Sequence, residues 1–224
     1  MSTPSGTVRL LIVDDHPIVR HGVAQLIEQE EGFEVVAQAG SAREALDVAE
    51  RSELDLAIID VSLQGVSGLE LVKQIRERGV EMPILMMSMH DEAFYAERAL
   101  RAGAQGYVMK QRATAEIAAA IRKVLDGDLY LSHELSAKLL RRAVDGDVGP
   151  GQGGVNQLSD RELEVLQLLG QGVSTRDVAD RLNLSVKTIE SYRANIKRKL
   201  DLKNAAELMR FAVDWVGTAG EPNL

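Results

Sequence analysis

The feature that most constrains this chain is a pattern repeated five times before residue 128: a short apolar run, then a longer amphipathic stretch. The runs are Arg9–Asp14, Glu34–Ala39, Leu54–Asp60, Pro83–Met89 and Gly106–Met109, rich in Val, Ile and Leu. Unbroken apolar runs suit strands buried on both faces, and the amphipathic stretches between them suit helices covering those faces. An α/β fold with a five-stranded, parallel, doubly wound sheet is therefore expected. Helix starts are readable: Pro17 sits at a first-turn position, and Ser41-x-x-Glu44 and Ser67-x-x-Glu70 have the spacing of capping boxes.

After Asp128 the character changes. The stretch 129–157 holds a short helical segment around Leu135–Ala143 and then the glycine run from Asp145 to Gly154, which has the composition of a flexible linker. The block 158–217 is helical throughout, with starts at Ser159-x-x-Glu162, Ser174-x-x-Asp177, Ser185 and Asn204-x-x-Glu207, and predicts a compact all-α module of four helices. The expected division is thus 7–128, a linker 129–157, and 158–217. The net charge of −8 lies entirely before residue 156. The remainder balances ten basic against ten acidic residues, yet 185–203 holds six basic and two acidic ones, a basic stripe on a neutral module. With no cysteine, disulfides and thiolate metal sites are excluded. No apolar run reaches the ~18 residues of a membrane span, and the short polar start is unlike a signal peptide, so a cytoplasmic protein without membrane attachment is expected.

In open parallel sheets ligands bind at the carboxyl ends of the strands. Here those ends are Asp14 with Asp15, then Asp60, Ser88 and Lys110. Three carboxylates on one rim repel one another unless a cation sits among them, and an all-oxygen donor set points to Mg²⁺. One carboxylate can then act as nucleophile toward phosphorus, while metal and lysine neutralise the equatorial oxygens. Asp60, ending the central strand, is the candidate phosphoacceptor. Ser88 would supply a hydroxyl and Lys110 a point charge. A hydrolase of small phosphate esters with an aspartyl nucleophile fits less well: such enzymes place Asp-x-Asp after the first strand, where this chain has Asp14-Asp15.

With these residues in place, 8–128 resembles a receiver domain, and the whole chain resembles the NarL/FixJ subfamily of two-component response regulators. The resemblance implies a flavodoxin-like strand order 2-1-3-4-5, and Mg²⁺ held by Asp14, Asp15, Asp60 and the backbone carbonyl of Ser62. It implies phosphorylation of Asp60 by a sensor histidine kinase or a small phosphodonor, with Ser88 and Tyr107 as switch residues. Drawing Ser88 toward the phosphoryl group would make room for Tyr107 to turn inward. The resemblance also implies that the unphosphorylated receiver covers the DNA-reading helix, and that such proteins are regulators rather than enzymes. One departure stands out: Leu63-Gln64-Gly65 follows the acceptor where the family has Met-Pro-Gly. That keeps open a phosphorylation-independent regulator whose receiver serves as an interaction surface. Ser62 and His90, each two residues beyond a rim residue, are expected to influence phosphate lifetime.

The segment Ser185–Leu200 predicts a helix about 24 Å long at about 1.5 Å per residue, enough to lie along a major groove of double-stranded DNA. Val186, Ile189, Ile196 and Leu200 form an apolar stripe expected to pack on Leu163, Leu166, Val178 and Leu182. The opposite stripe is Lys187, Glu190, Ser191, Ala194 and Arg198. Glu190 can accept from a cytosine amino group; Lys187, Arg193 and Lys197 to Lys199 favour phosphates. With Thr175–Leu182 and the turn Asn183-Leu184, this is a helix-turn-helix pattern. Leu158-Ser-Asp-Arg-Glu-Leu-Glu-Val-Leu166, Gly172-Val-Ser-Thr175, Ser185-Val-Lys-Thr-Ile189 and Lys199-Leu200 resemble the LuxR-type signature, and Thr188 and Tyr192 on the same helix are further candidate DNA contacts. In the last helix, Ala205–Val216, the stripe Leu208, Phe211, Ala212 and Trp215 reads as core packing. The resemblance adds a two-fold contact there, giving a homodimer when phosphorylated or DNA-bound.

Overall fold

The computed structural model describes residues 6–89, 92–145 and 154–220, which form two compact units meeting in sequence at Ala137 and Lys138. Most of the glycine run read as a linker lies outside the described residues.

The first unit alternates strand and helix: β1 (Val8–Val13), α1 (Pro17–Glu28), β2 (Phe33–Ala39), α2 (Ala42–Arg51), β3 (Leu56–Asp60), α3 (Gly68–Glu77), β4 (Ile84–Ser88), α4 (Glu92–Ala102), β5 (Gly106–Met109) and α5 (Ala113–Leu125). The strands pair in parallel in the order β2-β1-β3-β4-β5, as the resemblance implied. Every residue of β3 and β4 is buried, which is why those runs carry no polar residue before their last position. β2 differs. As an edge strand it alternates, leaving Glu34, Val36 and Gln38 exposed. Ser41 and Ser67 accept the backbone N–H groups of Glu44 and Glu70 at 3.3 and 3.2 Å, so the serines start α2 and α3 as their spacing predicts.

The helix α6 (His133–Asp145) extends further than the sequence suggested, with Ser132 Oγ accepting from Leu135 N at 3.1 Å. The second unit continues with α7 (Asp160–Gly170), α8 (Thr175–Arg181), α9 (Val186–Lys199) and α10 (Ala205–Gly220). A full capping box joins Ser159 and Glu162, and Ser174, Ser185 and Asn204 each accept from the residue three further on. Asn183 takes a φ of 52° between α8 and α9, a left-handed position that asparagine tolerates and that sets the sharp turn. α10 runs four residues past the expected Val216.

Candidate functional site

β1, β3 and β5 each end at the same rim of the sheet, and the residues beyond them meet there. Asp14 follows β1, Asp60 closes β3, and Lys110 opens a short 3-10 turn after β5. Lys110 Nζ donates to Asp14 Oδ2 at 2.7 Å and to Asp60 Oδ2 at 2.8 Å, although 96 and 50 residues separate them in sequence. Asp14, Asp60 and Ser88 are fully buried. Burial favours the neutral acid at Asp60, and Asp14 nearby adds to this. Lys110 and the Ser62 N–H work the other way, so the carboxyl pKa settles at about 6 instead of 3.8. At Lys110 burial opposes the charge, but Asp60 and Asp14 outweigh it and raise the ammonium pKa.

Asp14, Asp15, His16 and Asp60 present ligand atoms within 4.8 Å of one another, a cluster able to hold a metal ion. Three carboxylates gather at this rim with Lys110 as the ammonium that two of them share, and a divalent cation would offset their mutual repulsion. Asp60 Oδ1 and Asp15 Oδ1 are buried and accept no hydrogen bond from any described residue. His16 Nδ1 lies 2.9 Å from the latter but out of hydrogen-bond alignment. Orphaned oxygens of this kind fit a hard cation, and the donors are the type that Mg²⁺ takes.

The acceptor loop is tightly held. Val61 N donates to Met87 O at 3.0 Å, Gly68 N to Val61 O at 2.8 Å, and Gly65 has a φ of 82°, a value that suits glycine. A Cβ on Gly68 would stand 1.9 Å from the carbonyl oxygen of Asp60, so α3 approaches the acceptor only because that position has no side chain. Ser62 is partly buried in this loop, and His90 lies outside the described residues. Tyr107 is buried in β5, the strand that precedes Lys110.

Two participants escaped the sequence reading. His16 N donates to Asp14 Oδ1 at 2.8 Å, and Arg20 Nη1 donates to the Asp14 carbonyl. Both belong to the first turn around Pro17, and the signal was Arg20 standing one helical turn after His16 on the end of α1 that faces the rim.

In the second unit, α9 exposes Lys187, Glu190, Ser191, Ala194 and Arg198, while Thr188, Tyr192, Arg193 and Lys197 are partly buried. Ile189 and Ile196 form the buried seam with Leu163, Leu166, Val178 and Leu182. Val186 does not join them: at the first helical position, where the chain still turns out of the loop, it is 46% exposed. Leu200, the residue after the helix, is only partly buried. Three charges expected to meet DNA have partners within the unit. Arg193 Nη1 donates to Thr175 Oγ1 at 2.6 Å and to Glu190 Oε1 at 2.8 Å, and Lys199 Nζ pairs with Glu162 Oε2 at 2.6 Å. Leu208 and Ala212 are fully buried, the core-packing role, which removes them from any two-fold surface. Phe211 and Trp215 are partly buried, and Val213 is 51% exposed. Among the described residues no helix is long and apolar enough to cross a membrane.

Residues 10–122 match the family described as response regulator receiver domain, and residues 156–212 that described as bacterial regulatory proteins, luxR family. The chain is 36% identical over 209 residues to the transcriptional activator protein ExaE of Pseudomonas putida, spanning 92% of this chain and 95% of that protein. It is 36% identical over 207 residues to the transcriptional regulatory protein UhpA of Escherichia coli K12, spanning 92% and 98%. A solved structure of RcsB from Salmonella enterica serovar Typhimurium, bound to promoter rprA with the phosphomimetic BeF3-, superposes with a TM-score of 0.59 at 26% identity, covering 93% of this chain and 99% of that one. The shared sheet order, the two family matches and relatives aligned over nine-tenths of the chain lead to one conclusion: the chain belongs to the NarL/FixJ subfamily of response regulators, transcription regulators that join a receiver domain to a LuxR-type DNA-binding domain.

Proposed function

We propose that this chain is a phosphorylation-dependent transcription regulator in which Asp60 accepts a phosphoryl group from a sensor histidine kinase, or from a small donor such as acetyl phosphate. The receiver would span 7–128 and the DNA-binding domain 158–217. The observation that carries the reading is Lys110 bridging Asp14 and Asp60 at 2.7 and 2.8 Å beside an acceptor oxygen, Asp60 Oδ1, that no described residue engages. A carboxylate oxygen of Asp60 attacks phosphorus as the bond from phosphorus to the donor breaks, and the bonding pair leaves with the donor. Lys110 neutralises charge on the phosphoryl oxygens, and the Ser88 hydroxyl donates to one of them. Asp14, Asp15, Asp60 and the Ser62 carbonyl would hold Mg²⁺. Bound there, it supplies the positive charge that lets two anions approach.

In the second domain, α9 would enter the major groove. Lys187, Ser191, Ala194 and Arg198 form its exposed stripe, Thr188, Tyr192 and Lys197 flank it, and Glu190 is steered by Arg193. RcsB bound to a promoter supports this assignment. Phe211 and Trp215 on α10 are the candidates for a homodimer contact. Incubation with acetyl phosphate and Mg²⁺ followed by intact mass tests the acceptor directly. The natural chain should gain one phosphoryl group, and the Asp60→Ala variant none; equal labelling of both refutes the assignment.

A further inference from the structure

Beyond β5 the sheet has one more member. Tyr130 N donates to Gln105 O at 3.0 Å and Tyr130 O accepts from Tyr107 N at 2.9 Å, a single parallel bridge between Gly106 and Tyr130 on the outer edge of β5. The contact depends on glycine: a Cβ at Gly106 would meet Tyr130 Cβ at 3.0 Å, Tyr130 O at 3.1 Å and Leu85 Cδ1 at 2.8 Å. β5 is four residues long, and Lys110 follows it immediately. One side of this strand therefore ends in the cation that grips Asp60, and the other side holds the segment from which α6 departs at His133. A cavity of about 250 Å³ opens beside the bridge, lined in part by Tyr107, Tyr130, Glu116 and His133. The Tyr130 ring packs on the receiver core and its hydroxyl donates to Glu116 Oε2 at 3.4 Å, so the bridge can open at the Tyr107 N–H while the ring stays anchored.

We propose that the Gly106–Tyr130 bridge is a latch between the Asp60 site and the chain leaving the receiver, closed in the unphosphorylated protein and opened when Asp60 carries a phosphoryl group. The inference rests on the phosphoacceptor reading above. In the structure Lys110 divides its hydrogen bonds between Asp14 and Asp60. Phosphoryl oxygens on Asp60 draw the ammonium off Asp14, and a strand this short moves with it, carrying the Tyr107 N–H away from its acceptor. A lone edge bridge with two hydrogen bonds is among the weaker cooperative units of a sheet, so a small shift suffices to break it. Tyr130 acts here as a positioning residue through its backbone.

Hydrogen exchange on the full chain, with and without acetyl phosphate and Mg²⁺, tests the latch. Exchange at the Tyr107 and Tyr130 amides should accelerate at least about fivefold on phosphorylation. The Gln105 amide, bonded inward to Ile84 O at 2.8 Å, should stay unchanged. A full mass shift with unaltered exchange at both tyrosines overturns the latch alone, whereas absence of the mass shift overturns the phosphoacceptor reading and the latch with it. Linkage supplies a second arm. If occupying Asp60 opens the bridge, breaking the bridge must favour occupancy by the same factor. Gly106→Ala should therefore bind beryllofluoride with Mg²⁺ about fivefold or more tighter than the natural chain, and equal or weaker binding contradicts the proposal. Damage to the fold would weaken binding, so it cannot imitate the expected result.

Discussion

The two units use charge in opposite ways. In the receiver, the charges of the proposed site come from three separate strand ends and touch: the buried Asp14 and Asp60 both meet the partly buried Lys110 within 2.8 Å. In the second unit the charges proposed to meet DNA lie on one exposed helix face, while Arg161 pairs with Glu164 and the buried Glu162 with Lys199 inside the unit. Removing a charge from the first site should change a reaction; removing one from the surface of the second should change a salt-dependent affinity. The contrast can be broken at several points.

The largest effect is expected at Lys110. Lys110→Ala should slow labelling by acetyl phosphate about 10²–10³-fold, the usual cost of losing one donor aimed at a developing negative charge, as followed by intact mass over time. A loss below about tenfold would mean that the ammonium does not meet the phosphoryl oxygens.

Next comes the energetic penalty of the buried acceptor. Burial raises the Asp60 carboxyl from 3.8 to about 6 despite Lys110. A raised carboxyl pKa contributes stability that is present below 3.8 and lost as pH rises through about 6. In metal-free buffer near neutral pH, Asp60→Asn should therefore be more stable than the natural chain by about 2–3 kcal/mol in denaturant titrations, and the gap should close in acid. Added Mg²⁺ should stabilise the natural chain and leave the variant nearly unmoved.

On the DNA side, Lys187→Ala should weaken binding roughly tenfold across unrelated duplexes and reduce the salt slope by about one. Lys199→Ala, three turns along the same helix, should leave that slope nearly intact and lower the melting temperature of the second unit instead. The smallest effect belongs to its partner. Burial raises the Glu162 carboxyl, but the bonds from Lys199 and Ser159 outweigh it, so the net pKa is lowered. That stability is present above the ordinary 4.5 and lost as pH falls through the folded value. Glu162→Gln should cost the unit about 1 kcal/mol at neutral pH and nothing in strong acid.

Much of this was readable from the sequence, and the exceptions have physical reasons. Strands β3 and β4 are buried on both faces, so their apolar runs and polar last residues mark both the elements and the rim. Helical periodicity identified the exposed stripe of α9. Periodicity reports only which face a residue shares, so it could not show that Arg193 reaches across to Thr175 on α8 or that Lys199 turns back to Glu162 on α7. It also treated Val186 as core, since a stripe carries no information about where a helix leaves its neighbours. His16 and Arg20 became visible only once α1 was seen to start at the acidic rim. The Tyr130 bridge was hidden because one pair of edge hydrogen bonds leaves no periodic trace in a segment of mixed composition.

We propose that the acidic rim of the first unit governs DNA binding by the second. The most direct measurement is the affinity of the phosphorylated chain and of Asp60→Ala for a duplex selected from a random pool, under identical salt and Mg²⁺. A shift of about 2 kcal/mol in the regulating equilibrium predicts roughly thirtyfold tighter binding by the phosphorylated chain. Equal affinities would show that phosphorylation of the rim does not regulate DNA binding.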